Sequence, residues 1–317
     1  MILFAKKAAR FFAGVGMVVA LSGCGAALPA GCPPSCLGAD LRGKDLSGVN
    51  LSGANLRGAN LLRVQLNKAD LRNATLGGAN LAEANLIEAK LDGADLTGAD
   101  LQSANLTSAS MQGTDLSGAN LSKAVLTGND LTTAKLVATA LDEARLVGAN
   151  LNGTDLTGAT LVRADMRGAT LVGANLTGVN LDGADLEGGD LSEAVMLGAS
   201  LDTAPVLGAT LANANLGGAL LNSAELDGTD LTGANLAGAH LDGARLNGAN
   251  VYQARLIAAT LVGTDMSGTF MRGANLAGAN LSGANLLGTN LSDTDLTGTE
   301  FGGASLHGVK LFNQEVR

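Results

Sequence analysis

The sequence has no tryptophan, one tyrosine and six phenylalanines in 317 residues, so aromatics make up only 2% of it. Globular cores lean on large rings for buried area, so a core here has to be built from small and aliphatic side chains. Charged residues are sparse at 15%, although 46% of the chain is hydrophobic. Beyond residue 23 no apolar run exceeds four residues. A helical multi-span membrane protein is thereby excluded, since it needs repeated apolar runs of about 20 residues. The only histidines are His240 and His307, and neither sits in a nucleophile or metal motif. No enzymatic activity, cofactor or metal is expected.

What is present begins with charge. The whole chain carries −9, but Lys6, Lys7 and Arg10 lie in the first 23 residues. From residue 24 onward 17 basic groups face 29 acidic ones, a formal −12. Direct binding to nucleic acid or anionic headgroups needs cationic patches, so neither is expected, while a cationic protein partner is allowed.

The N-terminus reads as a secretory signal, with the three basic residues followed by an apolar stretch from Phe11 to Leu21. Eleven residues are too few to span a bilayer and suit a signal core. The stretch ends in Leu21-Ser22-Gly23-Cys24, which resembles the bacterial lipobox. The resemblance implies cleavage before Cys24 and lipidation of Cys24 with three acyl chains, where about two already anchor stably. Gly25, where an aspartate would resemble an inner-membrane retention signal, favours the outer membrane over the inner. Residues 24–38 form a short tether that reaches at most ~45 Å. Cys32 and Cys36 flank Pro33-Pro34-Ser35 in it. Outside the cytoplasm the pair suits a small disulfide. Free thiols are the alternative, and two thiolates alone fall short of a metal shell.

From residue 39 the chain follows one rule. Every fifth residue from Leu41 to Leu311 is apolar, 55 positions in all, of which 47 are leucine. The others are Met111, Met166, Met196, Val206, Val251, Met266, Met271 and Phe301. Alanine stands two residues before each in 39 cases, Asp or Asn commonly just before, and glycine commonly two after. No insertion breaks the register. Length alone suggests about two domains, but this repeat makes one elongated domain.

A period of five suits neither regular element. On a helix successive leucines would fall about 140° apart and make no stripe. On a strand an odd period sends them to alternate faces. The pattern calls instead for a coiling chain in which each unit turns a corner and buries its leucine. Glycine and Asn/Asp supply the corners, and alanine is small because the interior is narrow.

The motif A(D/N)LxG, as in Ala54-Asn55-Leu56, resembles the pentapeptide repeat family over residues 39–313, with residues 314–317 left as a tail. The resemblance implies an all-β, right-handed quadrilateral β-helix of about 14 uninterrupted coils, four units per coil, roughly 65 Å long at ~4.8 Å per coil. It also implies unusual regularity, because loops and kinks known in some members are missing from this repeat. Positions 20 apart then stack. Asp95, Asp115, Lys135 and Asp155 share one column, and Asp165 and Asp185 another. Such carboxylates either recruit a cation or bond local backbone, as turn aspartates do.

Tyr252 and Phe270 are the outward aromatics of the repeat, with Arg272 one coil above Tyr252, a combination typical of partner contacts. Leu220, in the same column as His240, is a weaker candidate. The solenoid ends expose strand edges, and end-to-end homodimer contact would cover one of them. The functional expectation is a non-enzymatic, lipid-anchored rod of the bacterial envelope that acts as scaffold, spacer or protein-binding surface. The alternative comes from acidic family members that resemble B-form DNA and bind type II topoisomerases, which a secreted chain would never meet.

Overall fold

A computed structural model of the chain describes residues 28, 29 and 32–311, together with the backbone of 314 and 315. The expected signal segment and Cys24 lie outside the described residues.

From Cys36 to Leu306 each five-residue unit closes the same turn, and only at Thr133 is φ at its third position not positive. In the unit starting at Leu51, the Ala54 N–H donates to the Leu51 carbonyl at 3.0 Å, and the residue between, Gly53, has φ of +67°. With φ positive at its third position the turn favours glycine, which carries no Cβ penalty there. Glycine is preferred there but not required. Arg63, Glu83 and Thr203 hold the same corner at φ of 57°, 56° and 60°. Just before the leucine, the Asn or Asp side chain takes the N–H two residues on, as Asp45 Oδ1 accepts from Ser47 at 3.0 Å. Such short loops are how this residue type competes with regular structure.

Coils join through parallel bridges between residues 20 apart, from Ser35↔Asn55 to Asn290↔Lys310. Four units therefore make one coil. Around Asn55 the pattern is explicit: the Leu56 N–H donates to the Thr75 carbonyl at 2.7 Å, and the Thr75 N–H to the Ala54 carbonyl at 2.9 Å. With one bridging residue per side between turns, no side is long enough to register as a strand. The all-β expectation is met by these isolated bridges. Among the described residues the strands are β1 (Lys310–Leu311) and β2 (Gln314–Glu315), an antiparallel pair with Lys310 opposite Glu315.

Leucine and alanine point inward as their period requires. Leu56, Leu141 and Leu246 are fully buried, as are Ala59, Ala144 and Ala249. Each buried leucine contributes ~1.5–3 kcal/mol of transfer free energy before chain entropy is subtracted. Nine threonines replace the inward alanine. Thr114 shows how the hydroxyl is accommodated, donating to the Leu91 carbonyl of the coil below at 2.8 Å.

Both ends differ from the middle. Bridging begins at Ser35, and Cys36, 2% exposed, occupies the leucine position of the first unit. A disulfide joins it to Cys32, Cα–Cα 4.8 Å, and Leu28 and Cys32 pack against the core. At the C-terminal end the inward Leu296 and Phe301 are only partly buried and Leu306 is 36% exposed.

The register is unbroken, but the expected uniform ladder is not. Bridges are absent at Ser110/Asp130, Lys135/Asp155 and Asp185/Pro205. At Pro205 the reason is the missing N–H of proline.

Candidate interaction surface

Three of five residues per unit face solvent, so charge placement decides what the rod presents. Most cations of the N-terminal half are spent locally. Arg42 pairs with Asp40 at 2.7 Å, Arg63 with Glu83 at 2.9 Å and Arg72 with Asp70 at 2.6 Å. The same holds in the column of Asp95, Asp115 and Lys135, where Lys135 binds Asp115 at 3.0 Å and Arg57 binds Asp95 at 3.0 Å. Asp165 and Asp185 stack as expected. They recruit a cation from the chain itself, because Arg167 reaches Asp165 at 2.8 Å and Asp185 at 3.5 Å. The Arg167 hydrogen bond holds the Asp165 carboxyl below its usual range. Among the described residues no three His, Cys, Asp or Glu side chains gather as a metal shell would.

A different region stands out, one that the search for motifs misses. Residues 39–167 carry 12 basic and 14 acidic groups, and residues 245–317 carry five of each. Residues 168–244 carry no lysine or arginine and ten acids. Nearly all the net charge of the rod therefore sits in a belt about four coils tall. A running charge count would have found it, whereas a motif search looks for local spacing.

The belt covers three of the four sides, with Asp185, Glu187, Glu225 and Asp227 on one of them. With 20 residues per coil, Asp182, Asp202 and Asp242 share a column, as do Asp190 and Asp230. Glu193 stands on the next corner. The face of residues 195–198 and its stacked neighbours 175–178, 215–218 and 235–238 carries no charge, and Leu197 on it is 41% exposed. Only the ends of the belt are neutralised, where Arg167 meets Asp185 at 3.5 Å and Arg245 meets Asp227 at 2.5 Å.

Above the belt lies the aromatic pair. Tyr252 is 40% and Phe270 57% exposed. The bridge Asn250↔Phe270 sets Phe270 over Asn250, two residues from Tyr252, so the fold brings both rings to one face. Arg272 stacks above Tyr252 in register, but its guanidinium turns upward to Asp293 at 3.0 Å. Leu220 bridges His240, whose Nδ1 lies 3.3 Å from Thr260 Oγ1. A polar depression of about 430 Å³ is lined by Ala82, Glu83, Gln102 and Ser103. Its one ionisable group, Glu83, is held by Arg63 at 2.9 Å. Among the described residues no helix is long and apolar enough to cross a membrane.

The family described as pentapeptide repeats matches the chain in eight copies, over residues 35–73, 65–102, 99–137, 134–178, 170–204, 208–238, 234–273 and 274–311. No curated protein matches it. Among solved structures the chain is similar to HetL, a pentapeptide repeat protein involved in heterocyst differentiation regulation from the cyanobacterium Nostoc sp. strain PCC 7120. Identity is 35%, coverage 74% of this chain and 91% of that one, and TM-score 0.40. It is also similar to a trypsin-treated form of QnrB1, a plasmid-mediated fluoroquinolone resistance protein, at 18% identity, with 59% and 90% coverage and TM-score 0.30. A pentapeptide repeat protein from the thylakoid lumen of Arabidopsis thaliana is 29% identical, with 39% and 66% coverage and TM-score 0.14.

Proposed function

The chain belongs to the pentapeptide repeat family, and from that premise we propose that it is a non-enzymatic rod, lipid-anchored at the bacterial envelope, that serves as scaffold, spacer or protein-binding surface. In this reading residues 1–23 are removed and Cys24 carries the lipid. The tether, expected over residues 24–38, is shortened to 24–34 because the first coil starts at Ser35, and it holds a right-handed solenoid of about 14 coils that runs to residue 313, with 314–317 as its tail. The outer membrane is favoured over the inner because Gly25 follows Cys24. The disulfide of Cys32 and Cys36 fits an extracytoplasmic compartment.

The observation that carries the binding-surface part is the charge belt. A belt of ten acids with no lysine or arginine, on a stretch where the rest of the rod is nearly neutral, suits a partner protein with a cationic face. Long-range attraction of this kind speeds encounter and weakens with salt. Tyr252, Phe270 and Arg272 are proposed as a second contact, one coil beyond the belt. End-to-end association of two rods remains part of the proposal.

The belt also favours a second reading, a DNA-mimicking inhibitor or protector of a type II topoisomerase, since such a mimic needs dense negative charge along a rod. The two readings separate on compartment. The test is labelled-palmitate incorporation with membrane fractionation, for the natural chain and for Cys24→Ala. Label and membrane association that both vanish in the variant support the lipoprotein and remove the topoisomerase reading. An unlabelled cytoplasmic protein overturns the envelope role and leaves the DNA mimic.

A further inference from the structure

The inward alanine position carries a polar residue at a few places, and one of them behaves unlike the others. Eight of the nine threonines there donate Oγ1 to the carbonyl of the apolar residue 23 positions earlier. The next residue still keeps its own ladder bond, as the Asp115 N–H does to the Ala94 carbonyl at 2.9 Å. A hydroxyl has one proton to give, so it takes one carbonyl and leaves the backbone alone.

Asn129 has two. Its Nδ2 donates to the Leu106 carbonyl at 3.1 Å, as a threonine would, and also to the Ala109 carbonyl at 2.9 Å. By register the Ala109 carbonyl is the acceptor for the Asp130 N–H, which makes no such bond. Asn129 Oδ1 is buried without a partner. The defect spreads along the seam. Met111 and Leu136 lose their N–H bonds to the coil above. Thr154, the exceptional threonine, turns to its own Leu151 carbonyl at 2.7 Å, and Asp155 loses its bond to Ala134. Ala109 and Ala134 open to 7% exposure, where most inward alanines show 0–1%. Among the described coils with neighbours on both sides, the missing lateral bonds fall within residues 108–180, Pro205 apart. Solvent-facing side chains substitute for part of the ladder: Thr133 Oγ1 accepts from Gly113 N–H at 3.0 Å, and Gln112 Nε2 donates to Asp130 at 3.0 Å.

We infer that this seam is a built-in hinge, set by Asn129, at which the otherwise uniform rod opens and bends before any other internal coil does. Local opening follows the elements with the fewest protected backbone bonds, and the leucine core continues unbroken through the seam, so the coils part without the solenoid coming undone.

Position 229 provides an internal control, since it is threonine and lies five coils further on. The experiment is hydrogen–deuterium exchange of the full chain, comparing residues 108–113 and 130–136 with 208–213 and 230–236, for the natural sequence and for Asn129→Thr. The expected result is at least about tenfold faster exchange in the first pair of segments, falling to within about threefold of the second pair in Asn129→Thr. Equal exchange in the natural chain overturns the hinge. Fast exchange that persists in a folded Asn129→Thr overturns the assignment to Asn129.

Discussion

Asp202 Oδ1 accepts the backbone N–H of Asn222, one coil above, at 2.7 Å. That N–H would ordinarily be taken by an Asn or Asp two residues before it, but Leu220 stands there and has no oxygen to offer. The substitution is systematic. Asp182 serves Asp202 over Ser200, Asn222 serves Asp242 over His240, and Asp242 serves Val262 over Thr260, at 3.2, 3.2 and 2.9 Å. Where the local residue is present, the ladder is not used. Ile87 is taken by Asn85 at 3.4 Å, and Asn67 Oδ1 in the coil below has no partner.

Asp202→Ala should therefore lower stability by about 1–2 kcal/mol, and Asn67→Ala by less than about 0.5 kcal/mol. Leu220→Asn should rescue Asp202→Ala by restoring the local turn, a coupling read in a double-mutant cycle of thermal midpoints. Equal losses at 202 and 67 would contradict the substitution rule.

Core truncation should depend on position along the rod. Leu211 is 1% exposed with coils on both sides, whereas Leu306 near the C-terminal end is 36% exposed. Leu211→Ala should cost ~2–5 kcal/mol and Leu306→Ala less than about half of that. Urea unfolding followed by circular dichroism gives the comparison. A solenoid need not unfold in one step, so shape changes in the transition are part of the readout.

Acid should loosen the fold in a definite window. The side-chain hydrogen bond from Arg42 holds Asp40 at about 2, against 3.8 for the free group. Arg72 lowers Asp70 in the same way, and the threonine hydroxyls two residues on lower Asp95, Asp155 and Asp295. Folded values below unfolded ones mean that this stabilisation is complete above the unfolded value and lost as pH falls through the folded one. Thermal midpoints should be flat from about pH 5 to 7 and drop from about pH 4 toward 2. Arg42→Ala should return Asp40 to the ordinary carboxylate range in an NMR titration. A midpoint that stays at about 2 would show that the arginine is not the cause.

Much of this was legible in the residues. The five-residue period separates inward Leu and Ala from outward positions without any knowledge of the coil, and Tyr252 and Phe270 fall on the outside by phase alone. The acidic belt is a property of the sequence that a running charge count exposes. Cys36 lies in the leucine phase, five residues before Leu41, so the start of the solenoid was readable there too.

What the tertiary structure decided are the relationships between coils. Residues 20 apart meet only once the chain has closed a coil of four units, and nothing in a five-residue repeat fixes that number. For this reason the partner of Arg272 is Asp293, 21 residues away, and Asp202 repairs a turn spoiled by Leu220. The weak seam depends on the same fact. Asn129 reads locally as one more small polar residue in an alanine slot, and its consequence comes from a second donor proton reaching a carbonyl that the next residue's backbone needs.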